Sequence, residues 1–324
     1  MSESQVLPIY LNRSTKLDLG ELSTQLDQVR QVFDVEDILA DPIESADVVT
    51  YYQQSYTAYS LFHSNTGAIH VALNFDGKFD PDGYYGQVRL VQEQVQQVHP
   101  AAVLELASGR GFNSKYLVDH NPKEIEFFGI DLTPAQIAAA RKLAAGAANL
   151  HFERGDFQRL PFPSERFDLV CVIESLCYAT DMPRAVSESF RVLKRGGRFV
   201  VIDGFRKVDL DALDGANRDL QVAGRLVEKA MAIPRGWLLD AWLDLARRQG
   251  FRVLGVRDVS EAIIPNLLRF HAMAQAFFKI PALGRLLARL CPPRMIKNAV
   301  AGLLMPYTVS VGAQGYFSIA LEKE

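Results

Sequence analysis

Between about residue 84 and residue 260 the chain alternates short apolar runs with longer stretches in which apolar residues recur every three or four positions. The runs are VLEL from Val103, FFGI from Phe127, LHFER from Leu150 to Arg154, FDLVCVI from Phe167 to Ile173, RFVVID from Arg198 to Asp203, and FRVLGVRDV from Phe251. Short runs of this kind, bounded by turn residues, predict buried strands. The stretches between them predict helices: Tyr84 to Val98, broken by His99-Pro100; a segment after Gly111; one from Pro134; one from Met182 to a stop at Gly196-Gly197; and Arg235 to Gln249 before Gly250. Thr133, Pro134 and Gln136 have the order of a capping residue, a first helical turn and a capping box. Strand and helix in regular alternation predict an α/β fold with a doubly wound, Rossmann-like sheet.

Outside this stretch the pattern changes. Residues 1–45 show only a loose amphipathic face and predict a helical cap. Tyr52, Tyr56 and Tyr59 then fall at i, i+4 and i+7, with Tyr51 and Phe62 beside them. Such a stripe either packs as core or lines a lipophilic pocket where ring faces stabilise a cation. A loop rich in Gly, Asn and Asp follows, up to Gly86. From Phe205 to Pro234 charged helical sequence carries no strand, as a lid inserted over the sheet edge would. After Ser260 the chain is helical and basic, with Arg269, Lys279, Arg285, Arg289, Arg294 and Lys297 among leucines and phenylalanines, until a last strand near YFSIALEK. The expected organisation is therefore 1–80 as cap and covering loop, 81–260 as core with a lid at about 205–234, and 261–324 as helical lid and final strand. The basic tail either packs as that lid or rests on a membrane surface, since basic amphipathic helices bind anionic interfaces.

Composition narrows the function classes. Hydrophobic residues make up 48% and charged residues 23%, with a net charge of −3. Those are values of an ordinary globular chain, and they argue against a nucleic-acid partner. The three cysteines lack the spacing of a zinc site or disulfide framework, and His63 and His70 have no further ligand at metal spacing. Without a leader-like N-terminus or an apolar run near the ~18 residues of a membrane span, a cytoplasmic location is expected.

The stretch from Val103 to Asp131 carries the chemistry: an apolar run with an acid, a turn at Gly109 and Gly111, a helix, and a second run ending in an acid. Such a unit holds a nucleoside cofactor at the carboxyl ends of parallel strands. GRGFNS is a near match to the dinucleotide pattern, with Ser114 at the third glycine. Glu105 would repel a pyrophosphate but attract the sulfonium and amino groups of S-adenosylmethionine, so the charges favour the latter. A unit whose glycines only make a turn stays open. Asp131 suits ribose hydroxyls, and Asp156 with Phe157 suits an adenine. Glu174, Ser175 and Tyr178 reach the same sheet edge.

These segments resemble the class I S-adenosylmethionine-dependent methyltransferases, in the small-molecule branch that includes sterol C-methyltransferases and tocopherol methyltransferases. The resemblance rests on VLELASGRG, FFGIDLTPAQIAAAR, GDFQRLPFP, FDLVCVIESLCYATD and RVLKRGGRFVVID. It implies that Glu105, Ala107, Gly109 and Gly111 surround the methionine part of the cofactor. Asp131 would hold the ribose, Leu132 would pack on the adenine, and Asp156 and Phe157 would complete that site. IESLCY resembles the family's Ile-Glu-Ala-Thr-Cys-His run with Tyr178 in place of the histidine, so Glu174 and Tyr178 become the candidate catalytic residues. AIHVALNFDG resembles the family's covering loop, which implies that His70 is at the substrate pocket, where Tyr52, Tyr56 and Tyr59 would join it if their stripe lines that pocket. The final segment resembles the last hairpin strand of a seven-stranded sheet. The implied activity is methyl transfer from S-adenosylmethionine to carbon or oxygen of an amphipathic or lipophilic small molecule. The alternatives are an NAD(P)-dependent oxidoreductase and a non-catalytic S-adenosylmethionine-binding module.

Overall fold

In the computed structural model, which describes residues 17, 19–58, 64 and 67–324, the apolar runs pair into one sheet. Its strands are β1 (Ala102–Leu106), β2 (Glu126–Asp131), β3 (Leu150–Arg154), β4 (Phe167–Ile173), β5 (Leu193–Arg206), β6 (Phe251–Asp258) and β7 (Gln314–Lys323). They lie in the order β3-β2-β1-β4-β5-β7-β6, seven strands as the final segment implied. The first five are parallel, and β7 runs antiparallel to both β5 and β6. Every residue of β1 is buried, as expected for a central strand covered on both faces. Since β1 pairs with β2 on one side and β4 on the other, the winding reverses there, and a crevice opens beyond the carboxyl ends of these strands.

The helices fall into two groups. Those of the alternating stretch are α4 (Gly86–Val98), α5 (Phe112–Asp119), α6 (Pro134–Leu143), α7 (Met182–Val192) and α9 (Leu239–Gln249). They cover the sheet over two apolar cores, one containing Leu104, Phe167 and Trp242, the other Val91, Leu117 and Ile202. The second group is α1 (Leu22–Val32), α2 (Val35–Ala40), α3 (Ser45–Ala58), α8 (Arg218–Ala230), α10 (Ser260–Phe278), α11 (Pro281–Leu290) and α12 (Pro293–Ser310). Chain ends and insertion meet in a third core, where Leu26 and Val29 of α1, Leu226 of α8 and Leu303 and Leu304 of α12 are buried together. Each such aliphatic side chain contributes about 1.5–3 kcal/mol by leaving water. Most of the basic tail is thus packed against the cap and the insertion.

Three local expectations need correction. Pro134 opens α6, but neither Thr133 nor Gln136 makes a capping box. The Asp131 carboxylate already accepts the Thr133 N–H at 2.8 Å, and Gln136 is buried. The helix after Met182 stops at Val192, not at the glycine pair, because Leu193 already pairs with Phe167 of β4. The helix expected from Arg235 begins at Leu239, because Arg206 donates its N–H to Trp237 O at 2.8 Å and bridges to Leu238, which keeps that approach extended.

Candidate cofactor and substrate site

The loop after β1 bends sharply. Ala107, Gly109 and Gly111 all take positive φ, at 50°, 53° and 82°. The alanine is strained in that region; the glycines are not. A Cβ on Gly111 would also meet the Phe152 ring at 2.6 Å. Glu105 holds the far side of the bend. It is 2% exposed, accepts from Asn113 Nδ2 at 3.0 Å, and accepts from the Ser114 hydroxyl with its other oxygen. Burial pushes its carboxyl up to about 7. Glu105, Gly109 and Gly111 therefore shape the loop, while Ala107 is the member of that group that reaches a cavity wall.

A slot of about 670 Å³, its mouth included, opens beyond β1, β2 and β3. Ala107, Asp131, Leu132, Gln136, Asp156 and Phe157 are among its walls. Asp131 is fixed by two backbone donors, Gly109 N–H at 3.0 Å and Thr133 N–H at 2.8 Å. Burial raises its pKa and those hydrogen bonds oppose the rise. One Asp156 oxygen accepts the Gln158 N–H at 2.8 Å; the other has no partner among the described residues. Gln136 Oε1 in this slot and Ser108 Oγ in a small adjoining cavity are buried without a hydrogen-bond partner. Orphaned polar atoms of this kind are costly unless a ligand satisfies them. A nucleoside with ribose hydroxyls, an exocyclic amine and a flat apolar ring fits this donor-hungry slot.

The second cavity, about 970 Å³ with its mouth, lies beyond β4 and β5 and is mostly apolar. Leu176, Phe205, Val227, Trp237, Ile263 and Met305 are among its walls. At one place it carries two carboxyl groups. Glu174, at a positive φ of 46°, accepts the Val71 N–H at 3.0 Å and the Tyr316 O–H at 2.7 Å on Oε1. Its Oε2 has no partner among the described residues, and Glu174 lines both this cavity and the small one. Burial pushes the Glu174 carboxyl up to about 8. Asp203 accepts from Leu176 N–H at 2.8 Å, Cys177 N–H at 3.2 Å and Gly204 N–H at 2.7 Å, and burial raises it to about 6. In the opposite wall Arg206 is held by both oxygens of Glu228 at 2.6 Å and by Asp211 at 3.1 Å.

Tyr52 borders all three cavities, and Tyr178, edge-on to it at 5.5 Å, borders the two larger ones. Tyr51 instead is core, its hydroxyl donating to Asn298 Oδ1 at 2.8 Å. The Tyr56 side chain and all of Tyr59 lie outside the described residues. His70 is in the wall of the small cavity, between Val71 O at 3.1 Å and Asn113 Oδ1 at 3.2 Å, and burial lowers its pKa. Four groups went unmarked in the sequence: Gln136, Asp203, Tyr316 and the Arg206–Glu228 pair. Asp203 had the available signal, an acid closing an apolar run as Asp131 does. Tyr316 had none, since β7 brings it to Glu174 from 142 positions away.

Residues 104–201 match the methyltransferase domain family. The chain is 28% identical over 240 residues to the S-adenosyl-L-methionine-dependent Diels-Alderase iccD of Talaromyces variabilis, covering 70% of this chain and 80% of that relative. It is 38% identical over 156 residues to a phthiotriol/phenolphthiotriol dimycocerosates methyltransferase of Mycobacterium leprae (strain TN), covering 47% of this chain and a little over half, 56%, of the relative. Among solved structures, that of the [4+2]-cyclase SpnF shares the fold with a TM-score of 0.68 at 22% identity, over 87% of this chain and 98% of that one. The dinucleotide alternative finds no support in these similarities. With a domain match over the strand unit that begins at β1, relatives of one kind and the expected sheet, residues 104–201 form a methyltransferase domain, and the chain is similar to the class I S-adenosylmethionine-dependent methyltransferases, with S-adenosylmethionine as the cofactor these similarities support.

Proposed function

We propose that the chain methylates an uncharged lipophilic small molecule held in the larger cavity, with Glu174 taking the proton that the substrate gives up. The observation that carries this is that Glu174 lines the mostly apolar cavity with an Oε2 that has no partner among the described residues, while Oε1 is fixed by Val71 and Tyr316. Asp131 would hold the ribose, Leu132 and Phe157 would pack on the adenine, and Asp156 and Gln136 would accept from its polar edge. Ala107 and Ser108 would border the methionine end, and Glu105 would act on it through the loop. When bound, S-adenosylmethionine supplies the activated methyl group. The protein's own part is to hold the substrate nucleophile in line, exclude water and move a proton. Tyr52 and Tyr178 would keep the two ligands apart except at the point of transfer.

Charge in the large cavity supports an uncharged substrate. Arg206 is the cation among its described lining residues, and Glu228 and Asp211 already neutralise it. Similarity to methyltransferases of lipophilic small molecules supports the same class. The cap and covering loop over 1–80, the insertion at about 205–234 and the helices after 261 would enclose this substrate. Peripheral membrane contact of the basic C-terminal helices, from a cytoplasmic location, belongs to the same proposal.

The test is incubation with methyl-labelled S-adenosylmethionine and a lipophilic cell extract, followed by mass spectrometry. A labelled product heavier by one methylene supports the proposal. The broad match to a Diels-Alderase favours a second reading, in which protonated Glu174 hydrogen-bonds a substrate carbonyl and the cofactor serves as a fixed wall. A product isomeric with its substrate and free of label would establish that reading and sink the first.

A further inference from the structure

Most of the large apolar side chains left open to solvent among the described residues gather at one place. Ile280, Leu283, Leu286 and Leu290 are 56%, 47%, 51% and 72% exposed, and Met273 of α10 is 37% exposed. The first four recur at helical spacing along α11 and its leading residue, so they share one face. The opposite face of α11 is already used. Gly284 presses so close to α1 that a Cβ there would meet Val32 Cγ2 at 2.9 Å, and Arg285 donates to Gln31 O at 2.7 Å. The outward leucines are therefore not a core awaiting an internal neighbour.

The charged residues of this segment have one sign. Lys279, Arg285 and Arg289 are all exposed, and Lys279 and Arg289 have no ion-pair partner among the described residues. Between Glu261 and Glu322 the sequence contains no acidic residue, although the whole chain carries a net charge of −3. A segment so depleted of acids within an acidic protein is what an anionic surface would attract. No helix among the described residues is long and apolar enough to cross a membrane. An amphipathic helix with leucines outward and cations beside them lies in the plane of an interface.

We propose that α11 is a docking blade for an anionic lipid bilayer, with Ile280, Leu283, Leu286 and Leu290 entering the acyl boundary and Lys279 and Arg289 meeting the headgroups. This deepens the membrane contact proposed above and names its residues. The same helical group joins blade and cavity: α11 packs with α10 and α12, while Ile263 of α10 and Met305 of α12 line the substrate space. A lipophilic substrate dissolved in the bilayer would thus be held close to the enzyme that consumes it.

The test uses the full chain, sedimented with phosphatidylcholine vesicles with and without phosphatidylglycerol, at low and high salt. Binding is expected with the anionic vesicles at low salt and should weaken as salt screens Lys279 and Arg289. Leu283→Gln with Leu286→Gln should lower the partition by roughly tenfold or more. Arg289→Gln should lower it about fivefold. Calorimetry with S-adenosylhomocysteine, unchanged in these variants, shows that the fold and the cofactor site are intact, so a loss of vesicle binding is separable from failure of the methyl-transfer reading. Absence of sedimentation with anionic vesicles at low salt overturns the proposal. So does a concentration-dependent dimer in analytical ultracentrifugation that the double leucine variant dissolves, which would assign the face to a second copy of the chain.

Discussion

The proposed cofactor slot and the proposed substrate cavity share one sheet edge but are built in opposite ways. The slot is local and carries polar side chains: Ala107, Asp131 and Asp156 stand at or just past successive strand ends and Gln136 in α6, all within about fifty residues, and its key bonds run from Gly109 and Thr133 to Asp131. The cavity is apolar and assembled from distant parts, with Val71, Glu174, Phe205, Val227, Ile263, Met305 and Tyr316 meeting only in three dimensions. The slot's task does not change with the substrate, so backbone donors can fix it. In the proposed reading the cavity has to match a particular lipophile, and the insertion and added helices share its walls with the ends of β4, β5 and β7. That division predicts that variants on the two sides should fail in different observables.

The largest effect is expected at Glu174. Glu174→Gln keeps the shape but cannot take a proton, and turnover should fall by about 10²–10⁴-fold, as for loss of a general base. Calorimetric affinity for S-adenosylhomocysteine should stay within about twofold of wild type, well under the tenfold that 1.4 kcal/mol represents. Equal loss of both would erase the distinction between slot and cavity.

Asp131→Ala tests the other side. Removing charge-assisted hydrogen bonds worth about 1.5–3 kcal/mol should weaken cofactor binding roughly ten- to a hundredfold. Turnover at saturating cofactor should change far less. A variant with normal cofactor affinity and lost turnover would move Asp131 out of the slot's machinery.

Tyr316→Phe sharpens the comparison, because it lies in the cavity wall and acts through Glu174. The Tyr316 hydroxyl stabilises the ionised carboxylate, whose pKa burial has pushed up to about 8. The rate should rise with pH through that value in the wild type, and the midpoint should move upward in Tyr316→Phe. Turnover near neutrality should drop about tenfold, the effect of one pKa unit, or 1.36 kcal/mol. An unmoved midpoint would leave Tyr316 with packing alone.

The smallest effect concerns stability. Glu105, Glu174 and Asp203 titrate near 7, 8 and 6 in the folded protein, above their ordinary values of 4.5, 4.5 and 3.8. The folded state therefore binds more protons than the unfolded chain across that range, and stability falls as pH rises. His70, whose pKa burial lowers, works in the other direction, but only below its ordinary value of 6.5. Between pH 6.5 and 8 the carboxyls dominate, so the Tm of the cofactor-free protein should decline over that window. The decline should be shallower in Glu174→Gln. A Tm that climbs over the window would show that these carboxyls are not held neutral.

Local chemistry was enough for the sheet's first strands and for the residues that line the slot proposed for the cofactor. Periodicity marks a strand without help from its neighbours, and a turn with Ala107, Gly109 and Gly111 at positive φ is imposed by backbone sterics within a few residues. Asp131, Asp156 and Phe157 could be named from the chain because each stands at or just past the end of a predicted strand, and the family resemblance added Leu132. Glu105 shows the limit of that logic: the residue was evident, but only packing turned its carboxylate towards Asn113 and Ser114, away from the cavities. Gln136 likewise became a slot residue because Asp131 had already taken the donor that a cap would use. The substrate side was decided almost entirely by the tertiary structure. Tyr316 meets Glu174 through antiparallel pairing of the last strand, and the helices around α8 and α12 close the cavity through a core of leucines that carry no positional signal. Hydrophobic burial is non-directional, so it can require that such helices pack without stating in the sequence which faces will meet.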